Sequence, residues 1–422
     1  APVFSAARHA LKASTELMEI FQFALPNGIR CVHRRVKTAV AYCGLMVNAG
    51  SRDEKPEEYG LAHFIEHALF KGTQKRKAYH INNRLENLGG ELNAYTTKEE
   101  TVVHATTLKG DFSKAAELIS DLVFHSTFPP KEIEREKEII YDEINSYKDS
   151  PSERIFDDYE DLLFRGSELG HNILGNKKAI KRYAAPEIRA FLDRTYNTDQ
   201  MVFSAVGNFS ERRFREVCER YLAPVQENRR RFTRCPALSA QAFHSVQHKN
   251  THQAHCLLGT RAYDHRNPKR IALSLLVNML GGPSANSILN VAIREKNGLS
   301  YNIEAGYVPF GDTGIATVYF GTERENVDKC MELIRTELKK IVSGGITPRQ
   351  LSVARKQFLG QLYISGENNE GNMLSMAKSS LVYGRAETTE RIVPKIETLT
   401  VADLTEVAAE IFGGELSVLV YQ

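Results

Sequence analysis

The stretch AYCGLMVNAGSRDEKPEEYGLAHFIEHALF, residues 41–70, runs from an apolar strand-like segment through a polar turn into an apolar helix. The same order returns in AHCLLGTRAYDHRNPKRIALSLLVNML, residues 254–280, where Ala272 stands 210 positions after Ala62. A second pair follows. FPPKEIEREKEIIYDEI (128–144) is matched by ITPRQLSVARKQFLGQL (346–362), with Pro130 and Pro348 separated by 218 positions. The residues differ, but order and spacing recur, which is the signature of one domain written twice. Between the copies, VQENRRRFTRCPALSAQA (225–242) is basic, contains Pro236 and has no apolar period, which is linker composition. The expected organisation is an N-terminal domain over residues 1–224, a linker over 225–245 and a homologous C-terminal domain over 246–422.

Within the first copy, LPNGIRCVHRR places an Asn27-Gly28 turn between strand-like runs. Residues 61–70, 112–124 and 130–147 carry helical periodicity. Residues 92–107 alternate and are rich in Thr, Val and Tyr, so they are expected to form a strand, as are residues 201–207. This mixture predicts an α+β protein: two homologous α/β-sandwich domains, each a largely antiparallel sheet with helices packed mainly on one face. The composition is that of an ordinary globular chain, 422 residues with 42% hydrophobic and 25% charged. A net charge of +3 argues against nucleic-acid binding through bulk charge. No run approaches the roughly 18 apolar residues of a membrane span. Six cysteines without a CxxC pair read as scattered thiols of a reducing compartment. The first twenty residues lack the pattern of an intact signal peptide, and the absence of an initial Met leaves room for a targeting segment already removed. A bacterial cytoplasm is expected, with the periplasm and the mitochondrial matrix left open.

His63-Phe64-Ile65-Glu66-His67 is an HxxEH motif, the inverted zinc-peptidase signature. On a helix His63 and His67 are i and i+4 and share a face, where two imidazoles can take two corners of a zinc tetrahedron. Glu66 lies close to the same face and can act as general base toward a metal-bound water that attacks a scissile carbonyl. A catalytic zinc needs a third protein ligand. The acidic helix over 130–147 has two candidates on one face, Glu136 and Glu143, and spacing alone does not choose between them.

HFIEH followed by LFKGT, then GGELNAYT, then the acidic helix ending in YDEI, resembles the pitrilysin-type zinc peptidases over nearly the whole chain. The closest likeness is to the half-length subfamily that includes the mitochondrial processing peptidase β subunit and its bacterial relatives. The resemblance implies one Zn2+ per chain, held by His63, His67 and a Glu 76 residues beyond the second His, which is Glu143. It gives Glu136 a supporting place in the catalytic set. In the second copy, His63, Glu66 and His67 are replaced by Leu273, Leu276 and Val277, and Glu136 and Glu143 by Ala354 and Gln361. The repeat has dropped the metal, as the family's second domain does.

For the substrate, the resemblance implies an extended peptide paired along Asn93 and Ala94, and an oxyanion stabilised by Arg294 and Tyr301. In the long members of the family those two residues face the zinc from the last domain. A two-domain chain must receive them from a second subunit, so a homodimer with a shared active site is expected, with a heterodimer containing an inactive relative as the alternative. Residues 131–161 hold twelve acidic and five basic residues, and Glu153 and Asp157 match the acidic pair that binds Arg upstream of the cut in the processing peptidase β subunit. The glycine loop 280–287 is too short for an α-type partner. The expected function is a zinc-dependent endopeptidase cleaving unfolded or presequence-like peptides with a preference for Arg near the cleavage site; the alternative is a non-catalytic structural or peptide-binding subunit of the same fold.

Overall fold

The computed structural model describes residues 20–238 and 241–422. The N-terminal stretch read above for a targeting signal lies outside them, apart from Ile20. The first sheet contains β1 (Ile20–Ala24), β2 (Arg30–Arg35), β3 (Val40–Val47), β4 (Glu91–Thr96), β5 (Thr101–Leu108) and β6 (Met201–Gly207), in the order β1-β2-β6-β3-β5-β4. The second contains β7 (His244–Gln247), β8 (Ala254–Ala262), β9 (Ser300–Pro309), β10 (Gly314–Thr322) and β11 (Ser417–Tyr421), in the order β7-β11-β8-β10-β9. With β1 set aside, the two orders superpose strand for strand. Even the parallel pairs coincide, β2 with β6 and β7 with β11, among otherwise antiparallel neighbours. The repeat seen in the sequence is therefore a repeat of topology, and the fold is α+β.

One expected strand is two. Residues 92–107 divide into β4 and β5, antiparallel with Asn93 opposite His104 and Thr96 opposite Thr101. The break is chemical. The Thr97 amide bonds the Glu100 carbonyl at 2.8 Å, and the Thr97 hydroxyl accepts the amides of Glu99 and Glu100 at 3.3 and 3.1 Å. A Thr side chain offers this alternative to a sheet ladder, and the polar run Lys98-Glu99-Glu100 has no reason to resist it. As a result the hairpin leaves β4 at the edge of the sheet.

The helices that matter here are α1 (Leu61–Leu69), α2 (Phe112–His125), α3 (Pro130–Lys148), α4 (Pro151–Leu163), α5 (Arg270–Gly281), α6 (Val327–Val342), α7 (Pro348–Ser365) and α8 (Asn369–Tyr383). In the first half, Phe64 and Ile65 of α1, Ile119 of α2 and Ile140 of α3 share a core with Leu45 and Val103 of the sheet. In the second, Leu276 of α5, Ile334 of α6 and Ala354 of α7 do the same with Leu258 and Val318. The other face of each sheet is covered by a helix from the other half. α8 places Met373, Met376 and Ala377 against Val32, Met46, Val102 and Val202 of the first sheet. α4 places Ile155, Tyr159 and Leu163 against Leu257, Ile315, Tyr319 and Leu419 of the second. The two exchanged helices start 218 positions apart, at Pro151 and Asn369, the same offset as Pro130 and Pro348. Each half thus supplies the apolar surface that closes its partner, and a cut of the chain near residue 225 separates the segments in sequence but not in space. Helical periodicity alone could not assign α4 to the second sheet, since it gives an apolar stripe without saying what covers it.

The halves are joined by a buried charge cluster. Arg52 is 2% exposed, and Nη1 donates to Glu99 Oε1 and Asp312 Oδ1, each at 2.7 Å. Nη2 reaches Asp312 Oδ2 at 2.9 Å and the Cys235 carbonyl in the linker at 2.8 Å. Glu99 in turn accepts the Gly311 amide at 2.9 Å, so the β4–β5 turn meets the β9–β10 turn. Removing one partner of such a cluster leaves uncompensated charge in a low-dielectric interior. Arg52→Met is expected to lower the stability of the folded chain by about 3–5 kcal/mol, read as a lower midpoint in urea unfolding; a midpoint within experimental error of the wild type would contradict this.

Candidate metal centre

α1 is short, and its sequence LAHFIEHAL anchors it by the side facing the core: Leu61, Ala62, Phe64, Ile65, Ala68 and Leu69 are buried. His63, itself buried, and the half-buried His67 stand one turn apart on the adjoining face. The helix starts at Gly60 with φ 95°, where a Cβ would lie 2.7 Å from the Leu174 carbonyl oxygen, so only glycine fits. Gly60 has no side chain to cap the first turn. The Glu54 carboxylate does so instead, accepting the Gly60 amide at 2.9 Å and the Ala62 amide at 2.7 Å, while His171 Nε2–H donates to it at 2.9 Å.

The imidazoles of His63 and His67 stand 4.8 Å apart between ring centroids. α3 crosses over them and brings Glu143 to His63 Nε2 and to His67 Nε2, each at 3.7 Å. One donor atom from each of the three residues lies within 4.8 Å of the other two. Donors at about 2.0–2.1 Å from a tetrahedral ion are roughly 3.3 Å apart, so a slight contraction of this group would enclose a metal. Behind it, His67 Nδ1–H donates to Glu136 Oε2 at 3.2 Å, and Lys71 holds the other Glu136 oxygen at 2.8 Å. That bond sets the His67 tautomer and turns the Nε2 lone pair toward the centre. Of the two carboxylates left open by spacing, Glu143 faces the pair and Glu136 contacts His67 from behind.

The electrostatics suit a cation at this point. Burial, then the neighbouring His67, pull His63 down to about 4, and its buried Nδ1 has no hydrogen-bond partner among the described residues. Burial also opposes a charged His67, but the Glu136 hydrogen bond and the charges of Glu143 and Glu66 outweigh it and raise the group. The set of two neutral-capable imidazoles and a carboxylate suits zinc. Burial raises Glu66, countered by Thr96, the last residue of β4. The candidate base therefore sits between the histidine pair and the edge strand, where Asn93 is exposed and, among the described residues, Ala94 pairs only with Val103 of β5.

Other expected residues are placed differently. Glu153 is exposed on α4; Asp157, half-buried, accepts bonds from the Tyr147 hydroxyl and, at 2.9 Å, from Asn172. Arg294 lies in a π-helical segment (Asn290–Glu295) before β9, 3.8 Å from Glu295, and Tyr301 on β9 is 92% exposed. No described contact brings either one to His63, His67 or Glu143 of the same chain. The sequence reading missed Glu54, His171 and Lys71. Lys71 is four residues beyond His67 and could have been suspected; the Glu54–His171 contact spans 117 positions and leaves no local signal. In the second half the corresponding pair of helices, α5 and α7, joins Asn278 to Gln361 by a 2.8 Å hydrogen bond, a neutral contact close to where the first half assembles its donors.

Residues 31–177 match the family model described as insulinase (peptidase family M16), and residues 184–358 match the one described as peptidase M16 inactive domain. The chain belongs to this pitrilysin-type peptidase family. Among its relatives is a Bacillus subtilis protein named uncharacterized zinc protease YmxG, 29% identical over 397 residues, which span 93% of this chain and 96% of that one. Another is an uncharacterized zinc protease of Mycobacterium leprae, 28% identical over 415 residues, or 96% and 92% of the two chains. The fold is shared with a protease from Helicobacter pylori at a TM-score of 0.89 and 20% identity, covering 96% of this chain and all of that one. It is shared equally with a peptidase M16 inactive domain from Pseudomonas fluorescens, TM-score 0.88 and 18% identity, covering 96% and 98%.

Because the left-handed Gly60 fixes where α1 begins, Gly60→Ala is expected to cost about 1–3 kcal/mol in urea unfolding and to weaken zinc binding in a chelator competition. Wild-type behaviour in both would show that the helix start is not constrained in this way.

Proposed function

We propose that the protein is a zinc-dependent endopeptidase that cleaves extended, unfolded peptides. The observation that carries this is the convergence of His63, His67 and Glu143 within 4.8 Å, with Glu66 between them and an open strand edge. A zinc ion held by those three residues would supply Lewis acidity, activating a water and polarising the scissile carbonyl. The chain's own groups do the rest. Glu66, raised by burial, takes the proton of the attacking water and returns it to the leaving amine. The β4 edge at Asn93 and Ala94 adds the substrate as a further strand, with main-chain bonds that do not depend on its sequence. Glu136 and Lys71 keep His67 aimed.

The oxyanion donors are Arg294 and Tyr301 in this reading, supplied by a second copy of the chain, since their own chain leaves Tyr301 almost fully exposed. The working unit is then a homodimer with two shared sites. Glu153, with Asp157 beside it, gives a preference for Arg upstream of the cut. The relatives above are bacterial, and no described helix is long and apolar enough to cross a membrane; a bacterial cytoplasm is the compartment we propose.

A long presequence-like peptide containing Arg tests the reading. Wild-type protein should cut it, chelator should stop the reaction, and Glu66→Gln should lower kcat by roughly 10²–10⁴ while still binding zinc. Cut sites mapped by mass spectrometry should be enriched for upstream Arg, and Glu153→Gln should lose that enrichment. Zinc-loaded wild type that cuts nothing overturns the proposal. The shared site has its own test: Glu66→Gln and Tyr301→Phe, each nearly inactive alone, should recover activity when mixed, because a mixed dimer carries one intact site. No recovery under conditions of subunit exchange would place both residues in one chain's site.

A further inference from the structure

We propose that Glu54 and His171 are positioning residues for the metal centre: they set where α1 begins, and through it where His63, Glu66 and His67 stand, without touching metal or substrate. The inference rests on the zinc-peptidase reading for its catalytic consequence, but its geometry is independent of it.

α1 has nine residues, and all three motif side chains fall within its first seven. A helix this short has a large share of its amides in the unsatisfied first turn. Glu54 meets that need with both oxygens, one on the Gly60 amide and one on the Ala62 amide, the residue directly before His63. Its side chain is 0% exposed and that of His171 is 6% exposed. A neutral Ser or Asn at the cap position would serve the helix at a far smaller desolvation cost. What a carboxylate adds is direction. It grips two amides at once, and Oε2, which already accepts the Gly60 amide, also accepts a third donor from His171, so the helix start is held from three sides.

The third donor comes from far away. His171 lies in the loop after α4, stacked on Tyr59 with ring centroids 3.9 Å apart. Its backbone is held by Lys98, whose ammonium bonds the His171 carbonyl and, at 3.2 Å, the Leu169 carbonyl, with Glu160 3.6 Å away. Lys98 sits in the β4–β5 turn beside Glu99, which belongs to the Arg52 cluster and bonds Gly311 of the second half. A continuous buried path thus joins the inter-domain cluster and the substrate-edge hairpin to the first turn of α1. Active constellations tolerate displacements of only about 0.5 Å, so slack at Glu54 would be felt at the donor atoms.

The test uses the full-length protein and zinc itself. His171→Phe keeps a ring against Tyr59 and removes the Nε2–H donor; His171→Gln restores a donor; Glu54→Gln spoils one of the two amide bonds. Zinc affinity is read by chelator competition, and kcat and KM on the zinc-saturated protein. We expect His171→Phe and Glu54→Gln to weaken zinc binding roughly tenfold to a hundredfold, to lower kcat on the saturated enzyme by at least about tenfold with KM within about twofold, and His171→Gln to recover most of both. If Glu54→Gln does not fold, the two His171 variants carry the test. Wild-type zinc affinity and kcat in His171→Phe, even with a lower melting temperature, would reduce the pair to a structural role and overturn the proposal. Wild-type protein that binds zinc but cuts nothing would instead defeat the peptidase reading, and the zinc affinities would still decide this one.

Discussion

The guanidinium of Arg52 is the point to which both halves of the molecule are tied. Its donors are shared among Glu99 of the first half, Asp312 of the second and a carbonyl of the linker, in a place almost closed to water. An unpaired charge there would be intolerable, so the three segments are obliged to arrive together. One of them is the turn that ends β4, and its other neighbour, Lys98, holds the loop that carries His171. The edge strand, the metal helix and the joint between the domains are therefore settled by one connected set of buried polar contacts.

The exchange of α4 and α8 follows a similar logic on the apolar side. A sheet with helices on one face leaves a second face of Val, Met and aromatic side chains that must also be covered. Each half solves this with the other's helix, at positions related by the repeat. The arrangement explains why the linker can lack regular structure: it carries a basic sequence past the first sheet, with Arg234 paired to Asp53 at 2.8 Å, while the burial that unites the halves is done elsewhere.

The two copies show what a duplicated scaffold is free to lose. Both keep the sheet order, the helix that follows the first apolar strand of the repeat (α1 and α5) and the helix that crosses it (α3 and α7). Only the first keeps imidazoles and carboxylates where those helices meet; the second makes do with Asn278 and Gln361. The pair of neutral amides bonds to itself, whereas the first copy brings donor atoms of His63, His67 and Glu143 within 4.8 Å of one another.

The sequence by itself determined the repeat, the α+β class, the HxxEH helix and the two candidate carboxylates, because each is written in local spacing: 3.6 residues per helical turn, two per strand, and a fixed offset between copies. It also carried a family likeness strong enough to select Glu143. What it did not determine was everything that depends on contacts between distant segments. It ran β4 and β5 together, since the alternation continues across Thr97 and only the turn's hydrogen bonds interrupt it. It did not show that α4, encoded in the first half, covers the sheet of the second, since an apolar stripe does not name the surface that covers it. It was silent on Glu54 and His171, two residues 117 positions apart whose meaning arises only when the tertiary structure buries them against the first turn of α1.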